Sequence, residues 1–92
     1  MSKVYVIGTM IEAREINKVC EALHELKYEV RCVRPIKTTF QDAVRDCYKN
    51  IVWCDTLVVV ANSDGSMDES VIHEVCFAEY LDKPIYIIQT NE

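Results

Sequence analysis

TLVVVANSDGSMDESVIHEVCFAEYLDKPIYII, residues 56–88, is the stretch whose reading decides the fold. It opens with four consecutive strongly apolar positions, Leu57 to Val60, rich in valine. Such a run predicts a central strand buried on both faces. Ser66 and Glu69 then stand three apart, as in a capping box, and predict a helix beginning there. Lys83-Pro84 stops that helix, and IYII, residues 85–88, supplies a further buried strand. One residue sits oddly in the pattern. Glu74 lies among Val71, Ile72, Val75, Phe77 and Ala78, and acidic side chains are rarely buried unless paired or put to use.

Working outward, KVYVIG (Lys3 to Gly8) reads as a buried first strand ending in glycine. Ile16, Val19, Cys20, Leu23 and Leu26 recur at helical spacing and predict an amphipathic helix over roughly residues 11 to 27. YEVRCV, residues 28–33, alternates apolar and charged positions as an edge or half-covered strand does, and Pro35 ends it. Thr39 is a suitable N-cap for a second helix, whose apolar stripe is Phe40, Ala43, Val44, Cys47 and Ile51. The order is βαβαβαβ with short connections and no repeats. Right-handed crossovers turn that order into a four-stranded parallel sheet with helices on both faces. The expected fold class is therefore α/β: one domain over residues 1–92, a Rossmann-like or flavodoxin-like three-layer sandwich.

Composition narrows the function. Half of the 92 residues are apolar, enough for a core, though a small one that a partner subunit would help to complete. Fifteen acidic against ten basic residues give a net charge of −5 with no basic cluster, which argues against a nucleic-acid surface. The five cysteines, Cys20, Cys32, Cys47, Cys54 and Cys76, form no CxxC pair. Their spacings suit neither a zinc site nor a disulfide framework, so buried thiols in a reducing cytoplasm are expected. No run approaches membrane-spanning length and MSKVYVIG lacks the pattern of a cleaved leader, so the expected protein has no membrane partner and is cytoplasmic.

Ligands of open α/β sheets bind beyond the carboxyl ends of the strands, where the strand order reverses. Gly8 and the segment from Asn62 to Ser70 lie at that edge. Three carboxylates stand out by position: Glu74 two turns into the third helix, Asp68 six residues earlier, and Asp46 on the second helix. None belongs to a metal-type cluster, and His24 and His73 are isolated, so no metal is expected. Gly8 and Gly65 are the only glycines, which leaves no glycine-rich phosphate loop and no expected cofactor.

Three segments resemble the nucleoside 2-deoxyribosyltransferases and related nucleotide N-glycosidases. VYVIGTM is similar to the family's first strand and turn, and Gly8 matches a glycine lining the base and sugar pocket. RDCYKNIVWCDTLVVV is similar to its Arg-Asp pair followed by a strand-opening aspartate. Asp46 then matches a residue contacting base or sugar, and Asp55 a structural one. DESVIHEVCFAEYLDKPIYI resembles the nucleophile helix, with Glu74 on the nucleophile and Asp68 on a ligand-binding aspartate. Ser70 and Val71 stand where members usually carry a glycine. The resemblance implies a nucleoside or nucleotide substrate, a homo-oligomer, and catalysis by Glu74 with Asp68 as the second acid. Ser66 and Ser70 would meet a 5′-hydroxyl or 5′-phosphate, alongside Gly8, Asp46 and Asn62.

The rival expectation is a nucleotide-binding or sensing module that keeps the fold without turnover. A receiver-type domain fits less well, because it needs an acidic pair after the first strand and an aspartate ending the third. VYVIGTM has no such acids.

Overall fold

The computed structural model describes residues 2–8, 13–32, 40–62 and 64–89. Seven elements alternate along the chain: β1 (Lys3–Gly8), α1 (Ala13–Glu25), β2 (Glu29–Cys32), α2 (Phe40–Trp53), β3 (Thr56–Ala61), α3 (Glu69–Tyr80) and β4 (Ile85–Gln89). All strand pairings are parallel and the sheet order is β2-β1-β3-β4. The order reverses between β1 and β3, whose registered ends are Gly8 and Val60. This is the expected α/β three-layer sandwich.

Alternation along β1 and β3 builds two cores. Val4, Val6, Val58 and Val60 pack with Ile16 of α1 on one face. Tyr5, Ile7, Leu57 and Val59 pack with Ile51 of α2 and with Val71, Val75 and Ala78 of α3 on the other. The valine run of β3 is buried throughout, as a strand covered on both faces must be. Each large side chain fully withdrawn from water there contributes roughly 1.5–3 kcal/mol.

Helix ends are closed by short-range devices. Lys27 and Asp82 adopt positive φ of 73° and 56° just past α1 and α3. Tyr28 N–H returns to the Leu23 carbonyl and Lys83 N–H to that of Ala78, so both ends are Schellman turns made without glycine. The Lys83 ammonium donates to the carbonyls of Val52 and Cys54, at 3.2 and 2.8 Å, and satisfies the end of α2. Asp55 behaves as a structural residue, accepting the Lys3 N–H at 3.0 Å where β1 begins.

Four expectations are corrected. Ser66 does not cap α3; the N-cap is Asp68, without a side-chain cap hydrogen bond. The Ser66 hydroxyl is already held by the Asp64 carboxylate at 2.6 Å, a local turn that competes with capping. The last strand is not buried: Tyr86, Ile87 and Ile88 are 63%, 57% and 40% exposed. β4 lies at the sheet edge: α3 meets it on one face and half-covers Ile85, while α1 packs on β1 and β2 and leaves the face of Tyr86 and Ile88 open. The cysteines are not all buried thiols, because Cys20 and Cys32 form a disulfide between α1 and β2 and Cys76 is exposed. Finally, α1 is shorter than residues 11 to 27 at its carboxyl end, since Leu26 and Lys27 form the closing turn. Thr39 and Val33 lie outside the described residues, and of the Phe40 side chain nothing is described.

Candidate functional site

Helices α2 and α3 lie side by side on one face of the sheet, and their first turns stand at the carboxyl ends of the strands. Tyr48 of α2 stacks on Phe77 of α3, with ring centroids 4.5 Å apart and planes 23° from parallel. Such a pair contributes about 0.5–1.5 kcal/mol beyond its burial and ties the helices together. Nearer their N-terminal ends the helices enclose a cavity of about 290 Å³ lined by Val44, Tyr48, Ser70, His73 and Glu74. That volume is at the lower end of the range for small-ligand sites.

Glu74 is half-buried in this wall. Burial raises its carboxyl above the ordinary value of 4.5, and the nearby Cys47 thiol pulls the other way. A carboxyl group beside a cavity with its ionisation disfavoured is a functional-site feature with a stated cause. Cys47 is itself buried, and burial pushes its thiol up to about 11, so it stays protonated and can only donate to a carboxylate. Behind it the Tyr5 hydroxyl donates to the Cys47 sulfur at 3.4 Å. Burial, first of all, drives the Tyr5 phenol well above its ordinary range.

Among the described residues, the cavity wall brings together Glu74 and Ser70 of the expected set. Asp46 and Asp68 are exposed and are not among its lining residues. Asn62 and Ser66 belong to the turn after β3, where the Asn62 amide donates to the Ser66 hydroxyl at 3.1 Å. Gly8 is buried at the end of β1, but a Cβ there would point at Ile16 of α1, on the opposite face from Glu74. Residue spacing did not reveal Cys47, Tyr5, Tyr48 or His73 as parts of the site. Tyr5 shares its strand face with Ile7, and that alternation was a readable signal; the contact with Cys47 was not, because it spans 42 residues.

A larger hollow, about 690 Å³, lies at the other end of the sheet beside His24, Lys27, Arg31 and Trp53. It is wide and shallow, at the amino ends of the strands, and the Arg31 guanidinium there is spent on Trp53, 4.0 Å from the ring centroid, and on Asn50. The smaller cavity at Glu74 is the better site because a perturbed acid lines it. No family model matches this chain, and no curated protein matches it either. No helix among the described residues is long and apolar enough to cross a membrane.

Proposed function

We propose that this chain acts on the N-glycosidic bond of a nucleoside or nucleotide, with Glu74 as the nucleophile. One observation carries the reading: a half-buried carboxyl, raised by burial, lines a small cavity at the carboxyl edge of a parallel sheet. Breaking the C1′–N bond passes through an oxocarbenium-like transition state. A carboxylate beside C1′ stabilises that charge and then closes onto carbon as a covalent glycosyl-enzyme, as in retaining glycosidases. Attack by a second base gives transfer, and attack by water gives hydrolysis. Ser70, one turn before Glu74 on the same wall, is suited to hold a sugar hydroxyl or phosphate oxygen. Asp68, at the N-terminal end of α3, is the proposed acid for the departing base.

A second reading, a nucleotide-binding module without turnover, is favoured by one feature. Asp46 and Asp68 are exposed and off the cavity wall, which leaves Glu74 without a second carboxyl among the residues that line it. Incubation with a panel of deoxynucleosides and deoxynucleotides, with and without free adenine or cytosine, separates the readings. Base release needing an acceptor means transfer, release without one means hydrolysis, and binding without release means the module. We also propose a homo-oligomer; the exposed apolar strand β4 supports the association.

A further inference from the structure

The sheet face that carries α1 is only half covered. Val58 pairs with Tyr86 and Val60 with Ile88 across the β3–β4 ladder, so neighbours in register share a face. Tyr86 and Ile88 therefore point to the side where Val58 and Val60 meet Ile16 of α1. The helix itself packs on β1 and β2. Beside it, over β3 and β4, runs a groove of about 520 Å³. Val19 and Leu23 of α1 wall one side, Val58 belongs to the floor, and Tyr86 and Ile88 line the far side, on the edge strand. Tyr28 lines it too, and no charged side chain among the described residues does.

We propose that this groove is the contact surface between two copies of the chain, each placing Tyr86 and Ile88 in the groove of the other about a two-fold axis. The proposal deepens the homo-oligomer reading and rests on it for the existence of a dimer. What it adds is the face, and the face follows from area and shape.

Tyr86 is 63% exposed, Ile88 40% and Tyr28 38%, and Val19 and Leu23 are half-buried. Large side chains present about 150–250 Å² each, so these five offer roughly 400 Å² of apolar surface per copy. Interfaces are about 60% apolar, and such a core then implies on the order of 1,300 Å² between two copies. Specific complexes begin near 1,200 Å², about the area available here. A ridge beside a groove is also complementary to itself under two-fold rotation, because each copy supplies both halves.

The competing arrangement pairs the two β4 edges through their backbones. It would join two open strips into one larger apolar face still in water, whereas face-to-face packing removes both from solvent. A neutral groove on a chain of net charge −5 offers nothing to an anionic lipid surface.

The test is NMR on an equal mixture of isotope-labelled and unlabelled protein, filtered for contacts between copies. The Tyr86 ring and the Ile88 methyls of one copy should contact the Val19, Leu23 and Val58 methyls of the other. Sedimentation in parallel gives the dimer dissociation constant, which Tyr86→Glu raises about tenfold or more. Leu23→Glu, in the opposite wall, does the same. Tyr80→Glu, at a tyrosine 83% exposed on α3 and away from the groove, leaves the constant unchanged. If Leu23→Glu does not fold, Tyr86→Glu carries the test, because Tyr86 is exposed in the single copy. A dimer without those contacts, or one as tight in Tyr86→Glu as in the wild type, overturns the face and leaves the homo-oligomer standing. An equal loss in Tyr80→Glu also overturns the face. A monomer throughout the micromolar range overturns both, as does a monomer whose Tyr86 and Ile88 signals broaden only with phosphatidylcholine vesicles.

Discussion

Tyr5 and Cys47 meet at 3.4 Å, phenol donating to thiol, and Tyr5 sits in a cluster whose other buried members are aliphatic side chains and Cys54. A buried tyrosine needs a partner for its hydroxyl. Here the partner is Cys47, whose thiol also opposes the rise of the Glu74 carboxyl, so polar groups of β1, α2 and α3 gather along one seam. Around that seam the fold is ordinary. Within it, ionisation, stability and the proposed chemistry are tied together.

The pH dependence of stability follows from Glu74. Burial raises its folded value above the ordinary 4.5, so the folded state holds this proton more tightly than the unfolded one. The stability linked to it is complete below about pH 4.5 and is lost as pH rises through the folded value. Glu74→Gln removes that loss. The melting-temperature difference, variant minus wild type, should widen from acid pH to neutrality; a constant difference would contradict the assignment.

Gly8→Ala should destabilise the protein by about 1–3 kcal/mol, the usual range for overpacking. A Cβ at this position would lie 2.9 Å from both Ile16 Cδ1 and the Val60 carbonyl oxygen. The isoleucine can turn away, but the carbonyl belongs to the central ladder. Urea unfolding measures the loss, and a variant as stable as the wild type would show that the β1 end moves freely.

Thiol counting tests the covalent arrangement. With Cys20 and Cys32 joined, the denatured and unreduced protein exposes three reactive thiols, Cys47, Cys54 and Cys76. After reduction it exposes five. Loss of the cross-link should cost about 3 kcal/mol by loop closure, since the paired residues are 12 apart. Five thiols before reduction would return these cysteines to the plain buried kind.

Association through the last strand is tested by charge. Tyr86 and Ile88 share a sheet face and a neutral edge strand, so Tyr86→Lys combined with Ile88→Lys should lower the mass seen by light scattering at tens of micromolar. A wild-type protein already monomeric at that concentration would end the homo-oligomer proposal.

Sequence reading succeeded wherever a local period or propensity decides the outcome. The Leu57 to Val60 run reads as a doubly covered strand and KVYVIG as a buried one, and both are buried. It failed where residues far apart decide. IYII reads as buried from its apolarity, and only the sheet order makes β4 an edge. Ser66 carries capping chemistry, but Asp64, two residues before it, takes the hydroxyl first. Cys20 and Cys32 show no pairing signal until α1 is laid against β2, with their Cα atoms 6.7 Å apart. Glu74 was legible as an anomaly because carboxylates avoid apolar stripes. Its surroundings were not, because Cys47 looks like core and Tyr48 carries no signal of its own.

The most direct test of the proposed chemistry is base release by the wild type and by Glu74→Ala, followed by chromatography across the same deoxynucleoside and deoxynucleotide panel. A covalent nucleophile contributes chiefly once charge develops at C1′, so its loss falls on the transition state and spares the ground-state complex. The account predicts release by the wild type, a loss of about 10³-fold or more in Glu74→Ala, and ligand affinity unchanged within a few-fold. Release by Glu74→Ala at near wild-type rate, or no release by the wild type from any member of the panel, would contradict it.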